Sequence, residues 1–267
     1  MLFKQPNLYS PICLLLMNLF KYLCVLLVKY SMQQEKKFNN NIKLIAFDAD
    51  DTLWENELHY RRAEERFGKL MEKYCSADEA NRILLRVEKD NLPLLGYGSK
   101  PFIISLIECG IEISGGTLSN EDILELISIG KDTIGQEMML YPQTENVLEK
   151  LSAKYQLSLA TKGDLKEQES KIARSGLKKY FSHIEIMSEK NSENYLKIVR
   201  LHNLEPEQFL MVGNSFKSDI LPVLEIGANA IYIPSEIIWA HEVAEESDHP
   251  RLTKAANLID LLNLIEI

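Results

Sequence analysis

The stretch that decides the fold is Ile42, Lys43, Leu44, Ile45, Ala46 and Phe47, followed at once by Asp48, Ala49, Asp50, Asp51 and Thr52. From Lys43 to Phe47 the run is short, nearly all apolar and without helical period, which is how a strand buried on both faces reads. Similar runs recur at Gln156 to Ala160, Ile184 to Met187, Phe209 to Val212 and Ala230 to Ile233. Between them lie helical patterns with start and stop signals: Leu165 to Ser175 before Gly176, Glu193 to His202 after Ser192, and Ser218 to Ile226 before Gly227. This alternation predicts right-handed crossovers and an α/β fold built on a doubly wound parallel sheet.

One stretch does not alternate. From Trp54 to Met139 no convincing strand is visible, while several helices are: Glu55 to Tyr74, Ala80 to Val87 behind a Ser76/Glu79 capping box, one opened by Ser99 and Pro101, and Ile123 to Ile129 behind Ser119 and Asp122. The expected organisation is a core of residues 41–53 and 142–267, interrupted by an all-helical insertion at 54–141. No internal repeat is visible.

The 267 residues are 46% apolar and 26% charged, an ordinary globular composition that excludes collagen-like, low-complexity and disulfide-scaffold classes. Lys plus Arg number 30 against 39 Asp plus Glu, a net charge of −9 that argues against a nucleic-acid partner. Cys13, Cys24, Cys75 and Cys109 show no metal or redox spacing and read as free thiols in a reducing compartment, with Cys109 as a small buried apolar residue. Residues 11–28 hold 15 apolar residues in 18, but Lys21 falls near the middle and no small-residue cleavage signal follows. The preferred reading makes Met32 the natural start and residues 1–31 a leader outside the mature protein, which places the protein in the cytoplasm; the alternative is a membrane anchor.

In an open parallel sheet the functional groups gather at the carboxyl ends of the strands. The first strand ends in Asp48 and Asp50, two carboxylates that can serve one pocket as nucleophile or metal ligand and as acid/base. A calcium loop fails, because Leu53 stands where glycine is required and His59 where the closing glutamate is required. The second strand ends in Thr161, Lys162, Gly163 and Asp164, a hydroxyl and backbone N–H groups at a helix start that suit an anion. Lys190 follows the third strand. The fourth ends in Gly213, Asn214 and Ser215, where Gly213 permits close backbone approach and Asp219 can return a carboxylate to the crevice as a hard-cation ligand.

Taken in order, Asp-x-Asp-x-Thr, Thr, Lys and Gly-Asn-x-x-x-x-Asp resemble the four motifs of the haloacid dehalogenase superfamily, over Ile42 to about Pro234, with the helical stretch matching its cap. The resemblance implies a Mg²⁺-dependent phosphatase of small phosphorylated metabolites, acting through an aspartyl phosphate. It makes Asp48 the nucleophile, Asp50 the acid/base, Thr161 a phosphoryl hydrogen-bond donor and Lys190 the neutralising cation. It gives Mg²⁺ to the Asp48 and Asp219 carboxylates and the Asp50 carbonyl, with Asn214 standing where many relatives carry aspartate. Thr52, Lys162, Gly163 and Trp54 are the expected substrate-binding residues, Trp54 as a pocket wall. Near the first motif, Glu57, His59, Arg61 and Arg62 are further candidates, as are Lys100 and Pro101. Because the dehalogenase branch lacks the second aspartate, Asp50 argues against carbon–halogen hydrolysis. A phosphomutase or a non-catalytic phosphate-binding protein are the competing readings.

Overall fold

A computed structural model describes residues 41–265. The apolar run at 11–28, and with it the choice between leader and anchor, lies outside the described residues. Among the described residues no helix is long and apolar enough to cross a membrane.

Six parallel strands form one sheet in the order β3-β2-β1-β4-β5-β6: β1 (Leu44–Phe47), β2 (Gln156–Lys162), β3 (His183–Met187), β4 (Phe209–Gly213), β5 (Asn229–Tyr232) and β6 (Leu252–Lys254). The chain starts in the middle and winds outward twice, so β1 lies between β2 and β4, with Phe47 level with Leu159 on one side and Val212 on the other. Successive residues of β1 face opposite layers. Ile45 and Phe47 join one apolar cluster with Leu148, Leu151 and Leu261, whereas Leu44 and Ala46 join another with Tyr195, Phe209 and Val223. Burial on both faces explains the unbroken apolar runs.

Between β1 and β2 stand α1 (Glu57–Met71), α2 (Ala77–Leu95), α3 (Ser99–Ile113) and α4 (Asn120–Gly135), followed by α5 (Thr144–Ser152) against the sheet. The four inserted helices share a core of their own around Phe67, Leu84, Phe102, Leu106 and Leu126. Their helical periodicity thus has its own partner face and does not depend on the sheet. Two chain segments join cap to sheet, side by side: Glu55 N donates to Met139 O at 2.9 Å and Tyr141 N to Leu53 O at 3.0 Å. The remaining helices α6 (Leu165–Ser175), α7 (Ser192–Leu201), α8 (Leu221–Glu225) and α9 (Leu261–Leu264) follow their strands.

Several sequence expectations need correction. β6 was not foreseen; its three residues, Leu, Thr and Lys, are too few to show a pattern. The helix expected over Ser218 to Ile226 is a wide π-helical turn, Phe216–Ile220, leading into α8, whose early Pro222 has no N–H to donate. The helix expected over Ala80 to Val87 runs from Ala77 to Leu95 and continues past Pro93. Ser119 and Asp122 form a reciprocal capping box, while at Ser76 only the hydroxyl accepts, from Glu79 N.

Candidate active site

Asp48 extends β1 by one residue: its N–H donates to Val212 O at 2.9 Å, which fixes the carboxylate at the centre of the strand ends. It is 6% exposed. Lys190, from the loop after β3, reaches across to hydrogen-bond Asp48 Oδ1 and, at 2.6 Å, Asp219 Oδ1. Burial and the neighbouring Asp219 push the Asp48 carboxyl up to about 7 against the pull of Lys190. The Lys190 ammonium is buried too, yet its two carboxylates outweigh desolvation and raise it above the ordinary lysine value.

Asp219 is fully buried, and both its oxygens are engaged. Oδ1 meets Lys190, and Oδ2 accepts from Ser215 N at 2.9 Å. Asp219 lines the cleft with its oxygens engaged in this way by Lys190 and the backbone of the π-helical turn. A Cβ on Gly213 would overlap that carboxylate, so glycine is required here by space.

Asp50 carries the densest set of contacts. Trp54 Nε1 donates to Oδ1 at 2.7 Å, Gln168 Nε2 to Oδ2 at 2.8 Å, and Lys171 Nζ lies 3.2 and 3.0 Å from the two oxygens. Burial alone would raise its pKa, but Lys171 and these hydrogen bonds win and hold it below the ordinary aspartate value. Trp54 is therefore not a pocket wall. It is 1% exposed, packs in the main core and spends its indole N–H on Asp50. Asp51 sits at φ +58° and accepts from Asn56 N and Glu57 N, both at 3.0 Å, turning the chain from β1 into α1.

Thr52 is buried, donates to Asp48 Oδ2 at 3.2 Å and lies 3.1 Å from the Asn214 side-chain amide, so it orients the site from behind. Thr161 and Gly163 line the cleft. Gly163 has φ +144°, and a Cβ there would stand 2.9 Å from Gln168 Nε2, so the backbone can pass only without a side chain. Lys162 also lines it but is committed: its Nζ pairs with Glu242, bonds Ser218 Oγ at 2.9 Å and lies 4.2 Å above the Tyr97 ring.

The sequence expectations brought together here are Asp48, Asp50, Thr161, Lys162, Gly163, Lys190, Asn214 and Asp219, all on one cleft that encloses about 170 Å³. Glu57 and Pro101 face the cleft as well. His59, Arg61 and Arg62 do not line it, and Lys100 instead pairs with Asp164 at 2.9 Å. Among the contributors that were missed are Gln168, Lys171, Trp239 and Glu242. The first two were legible in principle, since Glu167, Gln168 and Lys171 recur at helical spacing on one buried face of α6. The other two come from the loop after β5, which has no regular pattern.

The donor chemistry can be tested against a divalent cation. Among the described residues no cluster of three His, Cys, Asp or Glu is arranged to hold a metal. A mixed set is present, however. The Asn214 amide end stands 3.0 Å from Asp48 Oδ2 and 3.3 Å from the Asp50 carbonyl oxygen. With its nitrogen turned inward the amide donates to both. With its oxygen turned inward the amide stands from each of those two oxygens at close to the spacing, about 2.9 Å, of adjacent ligands on octahedral Mg²⁺. Asp48, Asp219 and Lys190 also leave one buried negative charge in excess, which a cation would balance. The residues fit the ion.

Comparison with known proteins follows the same lines. A family described as "Hydrolase: haloacid dehalogenase-like hydrolase" matches residues 42–227. The chain is 28% identical over 226 residues to the glyceraldehyde 3-phosphate phosphatase of Methanothermobacter thermautotrophicus, covering 78% of this chain and 90% of that one. It resembles the crystal structure of a haloacid dehalogenase-like family hydrolase from Xanthomonas campestris with a TM-score of 0.75 at 36% identity, over 82% of this chain and 88% of the other. The L-2-haloacid dehalogenase of Xanthobacter autotrophicus shares the fold alone, with a TM-score of 0.59 at 15% identity, over 84% of this chain and 98% of its own. Strand order, cap position, the convergence of the strand ends and the family match agree: this chain belongs to the haloacid dehalogenase-like hydrolases.

Proposed function

We propose that this hydrolase removes phosphate from a small phosphorylated metabolite, with Mg²⁺ as its cofactor. The observation that carries the reading is the pairing of Asp48, held by Lys190, with a second carboxylate, Asp50, two residues on in the same cleft. A dehalogenase has no use for that second group, whereas ester hydrolysis needs a proton at the leaving oxygen. The Methanothermobacter phosphatase supports the same choice.

In this reading Asp48, the Asp50 carbonyl and Asn214 would hold Mg²⁺, which would supply positive charge against the anionic phosphate ester. An Asp48 carboxylate oxygen attacks phosphorus, the bond from phosphorus to the ester oxygen breaks, and the leaving oxygen takes a proton through Asp50. Because Lys171 holds Asp50 ionised, that proton arrives with the substrate, whose second phosphate ionisation lies near pH 6. Water then attacks the aspartyl phosphate and gives its proton to the Asp50 carboxylate, which releases inorganic phosphate and frees Asp48. Lys190 balances charge on Asp48, Thr161 donates to a phosphoryl oxygen, and Asp219 keeps Lys190 in place.

The test is hydrolysis of p-nitrophenyl phosphate by the purified chain. Activity that needs Mg²⁺ and disappears in Asp48→Asn is the expected result. Full turnover in Asp48→Asn would defeat the reading.

A further inference from the structure

The cleft is also lined by Glu57 and Tyr60 on α1, Glu88 and Asn91 on α2, Tyr97 and Trp239. Glu57 is 6% exposed, and its Oε1 has no hydrogen-bond partner. Arg61 Nε stands 3.7 Å from it, but the same guanidinium also lies 3.4 Å from Glu64 and 3.3 Å from the Ile238 carbonyl. On the core side of the cleft the buried Gln168 Oε1 is likewise without a hydrogen-bond partner. Both orphaned atoms are acceptors, so what they lack is a donor.

Positive charge in the cleft is already spent. Lys190 is held by Asp48 and Asp219, Lys171 by Asp50 and Glu167, and Lys162 by Glu242. Among the described residues no arginine lines the cleft.

Resting on the phosphatase reading above, we propose that the substrate's leaving group carries hydroxyl or amino donors and no second anionic group: the substrate is a phosphate ester of a polyol or amino alcohol whose donors meet Glu57 and Gln168. A carboxylate or second phosphate would face Glu57 and Glu88 with no free cation to offset it. Burial, with Asp51 and Glu64 acting on Glu57 and Glu64 acting on Glu88, pushes both glutamates up to about 8, a condition that a donor relieves and an anion worsens.

The experiment measures kcat/KM of the full chain with Mg²⁺ on glycerol 3-phosphate, phosphoethanolamine, 3-phosphoglycerate and phosphoglycolate, with p-nitrophenyl phosphate as reference. At least one of the first two exceeds both acids by about tenfold or more, and which one leads tells polyol from amino alcohol. Measured at pH 9, where both carboxyls are ionised, Glu57→Gln and, as a second variant, Glu88→Gln each narrow that gap by removing negative charge from the wall. Acids turned over as well as the donor esters, or a gap unchanged in both variants, overturn the proposal while p-nitrophenyl phosphate hydrolysis leaves the phosphatase reading standing. Absence of hydrolysis of every ester removes both.

Discussion

At the residue scale, two contacts determine how the site works. Lys171 is buried and holds Asp50 from 3.0 Å. An opposite charge this near moves a carboxyl by about 1–3 pH units, so Lys171→Met raises Asp50 and shifts the acid limb of the kcat profile upward by about one unit or more. A uniform loss of kcat at every pH, with no displaced limb, would show that Lys171 only supports the fold. Asn214 is the second. Asn214→Asp puts a third carboxylate beside Asp48 and Asp219, so the variant melts lower than the parent without Mg²⁺ and gains more from it. Its Mg²⁺ requirement falls about tenfold, roughly 1.4 kcal/mol of added affinity. Thermal melts with and without the ion check this, and an equal gain in both proteins would mean that residue 214 does not face the cation.

At the scale of elements, the loop after β4 is the most constrained piece. Gly213→Ala drives a methyl into the Asp219 carboxylate. The expected cost is about 1–3 kcal/mol, read as a lower Tm, together with a loss of turnover greater than the stability change explains, because Lys190 is displaced with its partner. A variant with parental Tm and turnover would show that the loop yields freely. Why this loop was half legible is physical. Gly213 and Asp219 were visible as a motif, but the π-helical turn between them, which spends Asp219 on Lys190 and Ser215 N, depends on hydrogen bonds that no spacing announces. The same division runs through the chain. Strands β1, β2, β4 and β5 and helix α6 were readable because burial on both faces, or a helix start after β2 and a Gly176 stop, writes itself locally. Trp54 was misplaced because proximity along the chain to Asp50 does not say whether an indole faces a pocket or the core. Trp239 and Glu242 were invisible, since their position follows from a loop whose course is set by tertiary contacts.

At the scale of the whole molecule, cap and core are held together across the cleft by charged and polar contacts. Ser99 N and Oγ donate to Glu167 at 2.8 and 2.9 Å, Arg61 reaches the Ile238 carbonyl, and Tyr97 packs edge-on against Trp239. The buried acids in and behind this cleft set an unusual pH dependence. Glu57 and Glu88 rise to about 8 and Asp48 to about 7 in the folded protein, while the ordinary values are 4.5 and 3.8. A carboxyl raised on folding binds more protons in the folded state, so its contribution is greatest below the unfolded value and is lost as pH rises through the folded one. The opposing groups, Asp50, Asp164 and Glu242, are lowered on folding. Their contribution is kept above the ordinary carboxylate range and is lost only in stronger acid. His59, His202 and His241, held below the ordinary histidine value by burial, oppose the first set as pH falls through 6.5, so the raised acids govern above about pH 7, and in the absence of Mg²⁺ and substrate Tm increases as pH falls from about 8 to about 7. The double variant Glu57→Gln with Glu88→Gln flattens that slope, leaving the part due to Asp48. A Tm that falls steadily from about pH 8 to about 7 in the parent would mean that these glutamates keep their charge in the folded cleft, through water or a rearranged Arg61, and that the wall facing the leaving group is anionic at neutral pH.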